Sequence, residues 1–269
     1  MNASSDPQPA FSRLDRILYG LNAHWQIWLG ILLGFYALLP FLAPVLMAMG
    51  WSMPGRFIYW IYSYLCHQLP ERSYFLFGPH ISYSLASIHS AWQNTNDIAI
   101  LRQFIGNAQM GWKVAWSDRM VSMFTSIWFF GLLWGSVKRK IKPLRWWGLV
   151  LLWMPAAIDG ITHLVSDFAG IGNGFRYSNA WLALWTGNVF PPTFYAGDAW
   201  GSFNAWMRLL SGICFGLGAV WYGYPHLARA FENTAEVVRY KYRYRALRLA
   251  EKARLQQMAA RIESRERSN

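Results

Sequence analysis

Long uncharged, apolar runs organise this chain. No charge falls between Arg16 and Arg56, and Trp25 to Gly50 is one continuous apolar stretch. A helix crossing about 30 Å of hydrocarbon needs about 20 such residues, because each rises about 1.5 Å and every backbone polar group must be satisfied within the segment. The stretch therefore predicts a first span, bent at Pro40 and Pro44. A second runs from Val121 to Val137, between Arg119 and Lys138. A third runs from Trp146 to about Val165 and is interrupted by Asp159 and His163, and a fourth covers about Ala205 to Tyr224. The fold class expected is all-α: a multi-pass transmembrane bundle of four spans.

The flanking segments carry weaker patterns. Phe11, Leu14, Leu18 and Leu21 recur at helical spacing opposite Arg13, Asp15 and Arg16, which predicts a short interfacial helix before an uncleaved first span. Phe57 to Leu65 is apolar but too short to cross, so it reads as a re-entrant or interfacial helix. Ser73 to Asn96 lacks Lys and Arg between Arg72 and Arg102 but holds Gly78, Pro79 and two His; a fifth crossing there is the alternative topology. Residues 167–204, rich in Gly, Trp and Asn with Pro191-Pro192, read as a packed cap. Ala228 to Ile262 has the composition of a long helix. The organisation expected is a cytoplasmic N-terminal segment (1–24), a transmembrane domain (25–225) with outer loops 51–118 and 167–204, and a basic cytoplasmic tail (226–269).

Composition sharpens this picture. Only 14% of the 269 residues are charged, against about 25% in soluble domains, while 54% are hydrophobic. The net charge is nevertheless +12. Five cations lie in Val137 to Arg145 and eleven in the tail, facing five Glu there, so 16 of the 25 cations sit in two clusters. Basic clusters stay cytoplasmic, which puts both ends inside and the two long loops outside a cell membrane. Seventeen Trp suit the boundary between water and lipid. Arg239 to Arg245, alternating with Tyr, would meet anionic lipid headgroups. No nucleic-acid motif is present, and two Cys exclude a disulfide framework.

Gly30/Gly34, Gly131/Gly135 and Gly212/Gly216 form small-residue pairs four apart, one pair in each of three spans, and predict close helix crossings. Ionisable residues inside spans are expensive and mark function. Asp159 lies about 10 Å below the outer end of its span and Arg208 about 5 Å below its own, close enough to pair. His163 shares the face of Asp159 one turn on, a spacing suited to a metal or to a carboxylate orienting an imidazole. Ser117, Asp118 and Arg119 stand at the same outer level.

The most distinctive string is Cys66-His67-Gln68-Leu69-Pro70-Glu71-Arg72-Ser73-Tyr74. Its Cys and His suit a soft metal or a nucleophile pair, though adjacent residues on a helix diverge by about 100° unless the helix breaks there. With Asp159-Gly160-x-Thr162-His163 and Asn204 to Arg208, it resembles the DUF2085 family of prokaryotic membrane proteins, named for its unknown function; the likeness covers about Tyr62 to Gly216. Relatives have Gln at position 163 and carry Cys-x-Arg followed by Cys or Asp where this chain reads Ser117-Asp118-Arg119-Met120, so Arg119 is retained and the thiols are absent.

Three functions are compatible with these residues. The first is binding or translocation of a small ion or anionic solute at an outer site built from Arg72, Arg119, Asp159, His163 and Arg208, a mouth expected to be net positive. The second is a structural or accessory subunit, packing with other membrane subunits or with copies of itself. The third is a membrane enzyme or metal site at Cys66 and His67. The pattern specifies no cofactor and no catalytic set.

Overall fold

The structure, a computed structural model, describes residues 13–138 and 140–266. In chain order its helices are α1 (Arg13–Ala23), α2 (Trp25–Ala48), α3 (Ser52–Ser63), α4 (Leu85–Ala91), α5 (Ile98–Leu101), α6 (Asp118–Val137), α7 (Trp146–Asp167), α8 (Phe175–Ser178), α9 (Ala180–Trp185), α10 (Pro192–Tyr195) and α11 (Phe203–Glu266). Three strands, β1 (Ser73–Leu76), β2 (Gly106–Asn107) and β3 (Gly111–Ser117), form an antiparallel sheet ordered β1-β3-β2. The chain is mostly helical, and this sheet corrects the all-α expectation. The missing signal was burial: β3 is enclosed nearly throughout, so it shows no alternation of apolar and polar positions.

Four helices, α2, α6, α7 and the first part of α11, are long and apolar enough to cross a membrane, as the apolar runs predicted. All four expose large apolar side chains, and α7 and the first turns of α11 bury polar ones. On α7, Ile158, Ile161, Leu164 and Val165 face outward, while Asp159, His163 and Ser166 are buried. A water-soluble bundle would show the reverse. The alternative fifth crossing at 73–96 is not helical throughout: the segment holds strand β1 and the seven-residue α4.

The chain divides into two compact units, residues 1–28 with 225–269, and residues 29–224. In the first, α1 forms as its spacing predicted, although Phe11 lies outside the described residues. Trp25 stacks on Phe231, and Tyr19 accepts a hydrogen bond from Arg239 at 2.8 Å. The expected tail helix is the continuation of α11, which runs through Pro225 without a break.

In the second unit, α3 is the expected short helix, shifted to begin at Ser52. It packs with α2, β3 and α6 through Ala43, Met47, Ile58, Tyr59, Tyr62, Val114, Trp116 and Val121. A second core is built within the first long loop from Leu69, Phe75, Ile88, Leu101, Phe104 and Met110, joined by Ile171 of the second. Of the expected glycine crossings, Gly212 and Gly216 lie against Ser122 and Ser126 of α6, where an added Cβ would collide with those serines. Gly34 leaves room for Trp128, whose indole donates to the Gly30 carbonyl at 3.0 Å, and Gly131 leaves room for the Tyr224 hydroxyl.

Candidate functional site

The sheet brings the ends of two distant segments together. Pro70 to Arg72 form one 3-10 turn leading into β1, β3 leads directly into α6, and Ser73 pairs with Ser117. Arg72 and Asp118 therefore flank one register pair. The turn before β1 is pinned by Gln68, held at a left-handed φ of 53°, whose side-chain amide donates to the Tyr59 and Ala115 carbonyls at 2.9 Å each. The second long loop closes on the same place. Gly174 approaches Ser166 so closely that no side chain would fit, and the Arg176 amide donates to the Ser166 hydroxyl at 3.0 Å. Asn179 and Asn204 both donate to the Arg176 carbonyl, each at 2.7 Å, and Asn204 also donates to that of Gly197.

These segments assemble four Arg and four Asp into two groups. In the first, Arg72 donates through two nitrogens to Asp167, both at 2.7 Å, and through Nε to Asp198 at 2.9 Å. Arg208 meets Asp118 through Nε at 2.8 Å and Asp198 through one terminal nitrogen at 2.6 Å; its other terminal nitrogen donates to the Asp198 backbone carbonyl. In the second group, Asp159 accepts from Arg119 at 2.7 Å and from Arg176 at 2.6 Å. Arg176 also lies 3.2 Å from His163 Nε2. A guanidinium only donates, so Nε2 accepts and the His163 proton sits on Nδ1.

The expected Asp159–Arg208 pairing is therefore corrected. Each residue joins the cluster, but Arg208 is taken by Asp118 and Asp198 and Asp159 by Arg119 and Arg176. His163 does share the Asp159 face, 3.7 Å from its carboxylate. The expected positive surplus is confined to one group. Two Arg against Asp159 leave that group one positive charge in excess, while Arg72 and Arg208 against Asp118, Asp167 and Asp198 leave the other one negative in excess. Around Asp159, three donors are buried with no partner: Nε of Arg119, Nε of Arg176 and Nδ1 of His163. The Arg119 side chain is 23% exposed, so this group reaches the surface.

Burial and neighbours set the protonation of the groups in the loops. Asp198 is opposed by burial, yet Arg72 and Arg208 hold it well below the usual carboxylate range. Burial works against the charge on Arg72 too, and Asp198 and Asp167 more than offset it. For Arg176, burial outweighs Asp159 and Asp198, and its pKa is lowered.

Cys66 and His67 follow the end of α3, outside any helix. The Cys66 thiol accepts weakly from the amides of Gln68 at 3.5 Å and Ser117 at 3.3 Å, and His67 Nδ1 accepts from the Leu69 amide at 3.0 Å. Ser117 thus lies against Cys66. Among the described residues, no group of three or more His, Cys, Asp or Glu is arranged to hold a metal.

Sequence reasoning missed Arg176, Asp167 and Asp198 as members of the cluster. A signal existed for one of them: Asp198 is the sole charge between Arg176 and Arg208. An isolated charge in an otherwise uncharged loop has to be hydrated or paired, and here it is paired.

The four long helices are those of a membrane protein, with apolar side chains facing outward and a cluster of four Arg and four Asp set between the helix ends and the long loops. No family model matches the chain. It is 24% identical over 153 residues to an uncharacterized protein of Methanocaldococcus jannaschii, covering 54% of this chain and 76% of that protein. No solved structure matches.

Proposed function

We propose that this protein binds a small anion or anionic solute, and passes it across or presents it to the membrane, at the group formed by Arg119, Asp159, His163 and Arg176. The supporting observation is the set of three unpartnered buried donors around a carboxylate already outnumbered by guanidiniums. Buried donors are rarely left unmet, and an oxyanion satisfies several at once. In this reading four helices cross the membrane, both ends and the basic clusters are cytoplasmic, and the charged site faces outward beneath the two long loops. The basic tail meets anionic headgroups of the inner leaflet. Membership of the DUF2085 family is part of the same proposal, supported by the Cys66 to Ser73 string.

Reconstituted protein tested against a panel of anions and metal ions should show a thermal shift, or flux, with oxyanions and a smaller response in Arg119→Gln. No response across the panel would overturn this reading. A second reading, a structural subunit whose ion pairs fix helix register, draws on the near-complete pairing of the Asp198 group. It requires that Arg119→Gln change assembly and leave no anion response to lose.

A further inference from the structure

We propose that Glu71 is a second ligand site in this protein, one that binds a proton, and that through the charge balance of the buried cluster its charge state is coupled to anion occupancy of the Asp159 group. The coupling rests on the anion reading above; the proton site does not. Glu71 is 1% exposed, and neither carboxylate oxygen has a hydrogen-bond partner. A buried carboxylate in this condition is costly when charged and acceptable when protonated. Its neighbour Arg72 spends three nitrogens on Asp167 and Asp198, so it offers Glu71 charge but no hydrogen bond.

The surroundings fit a site that exchanges protons. Lys113 of β3 is fully buried, with its amine donating to the Gln68 and Arg102 carbonyls at 2.7 Å each. Tyr177 of α8 has a buried hydroxyl without a partner, and it lines an open groove of about 870 Å³ with Gly174, Asn173, Asn96 and Trp200. Asp198 and Arg72 act on Glu71 by charge, Asp167 lies on the far side of the Arg72 ion pair, and His89 of α4, the helix packed on this turn, is tied to the Thr95 carbonyl at 2.9 Å. Burial pushes Glu71 up to about 7, against the lowering pull of the Arg72 and Lys113 charges.

Charge balance links the two sites. The four Arg and four Asp cancel, and an ionised Glu71 is matched by a protonated Lys113. An arriving anion adds negative charge to the cluster. Transfer of one proton from solvent to a Glu71 oxygen offsets one unit of that charge, with no other bond made or broken, so anion and proton bind together.

The test uses the full chain in lipid nanodiscs. Infrared difference spectra should show the carbonyl stretch of a protonated carboxyl appearing as pH is lowered through about 7. The band should be absent in Glu71→Gln and displaced in Glu71→Asp, which keeps the acid if the amide variant fails to fold. A band that persists unchanged in both variants, or is missing from the wild type, overturns the proton site. With sulfate as the probe, wild-type affinity should fall about tenfold for each pH unit above the transition, and that of Glu71→Gln should be flat. A flat wild-type profile with the band intact overturns the coupling alone. No sulfate binding with the band intact overturns the anion reading and the coupling, and upholds the proton site.

Discussion

Replacing Arg208 by Met removes the one side chain that joins α11 to both Asp118 and Asp198. Asp118 then keeps only the Arg119 amide at 2.7 Å, and Asp198 keeps Arg72 at 2.9 Å. Arg208 is 2% exposed and Asp118 5%, so water does not replace the lost partner. Breaking a buried pair on one side costs about 3–5 kcal/mol, against at most about 1 kcal/mol for an exposed pair. Arg208→Met is therefore expected to lose about 3–5 kcal/mol in chemical denaturation of the detergent-solubilised protein. Asp118→Asn leaves Arg208 with Asp198 and is expected to lose less. The double variant should lose less than the sum of the two, with a coupling of up to about 3 kcal/mol, because the second change removes the charge stranded by the first. An Arg208→Met loss below about 1 kcal/mol, with additive effects, would mean that the cluster is wetted, and would refute the enclosed network.

Glu71 binds its proton more tightly folded than unfolded, so between its ordinary pKa of 4.5 and about 7 the native state holds more protons and stability falls as pH rises. Glu71→Gln should remove that decline, about 3 kcal/mol in all by order of magnitude, from a series of unfolding curves against pH. Lys113, lowered by burial to about 7 from 10.5, gives the opposite limb, with stability recovering as pH rises through that interval; Lys113→Met should flatten it. Gly212→Val should force α11 off Ser122 and destabilise the protein by about 1–3 kcal/mol or prevent folding, read by the same denaturation. Elemental analysis of the purified protein should find no stoichiometric transition metal; one metal per chain, lost in Cys66→Ser, would restore the Cys66/His67 metal reading.

The four long apolar helices were legible because a bilayer demands about 20 uninterrupted apolar residues, a constraint that few other contexts impose. The sheet was not legible. Its strands are short, and β3 from Val114 to Trp116 reads as an undivided apolar run. Site membership was read for Arg72, Arg119, Asp159, His163 and Arg208 because charge inside or beside a span is informative by itself. The partners were not readable: depth along a helix places Asp159 and Arg208 at similar levels but says nothing of azimuth, or of loops that fold in between them. Arg176 and Asp198 enter by that route, and they determine which Arg meets which Asp.

The most direct test of the anion site is sulfate affinity of the reconstituted protein and two variants by calorimetry. Asp159 competes with the bound anion for Arg119 and Arg176, so Asp159→Asn raises the local surplus from one positive charge to two. A unit charge removed about 5 Å away at an effective dielectric of about 20 is worth up to about 3 kcal/mol. Binding should be saturable, tighten at least about tenfold in Asp159→Asn and weaken at least about tenfold in Arg119→Gln. No saturable binding in the wild type, or equal affinities in all three proteins, would contradict it.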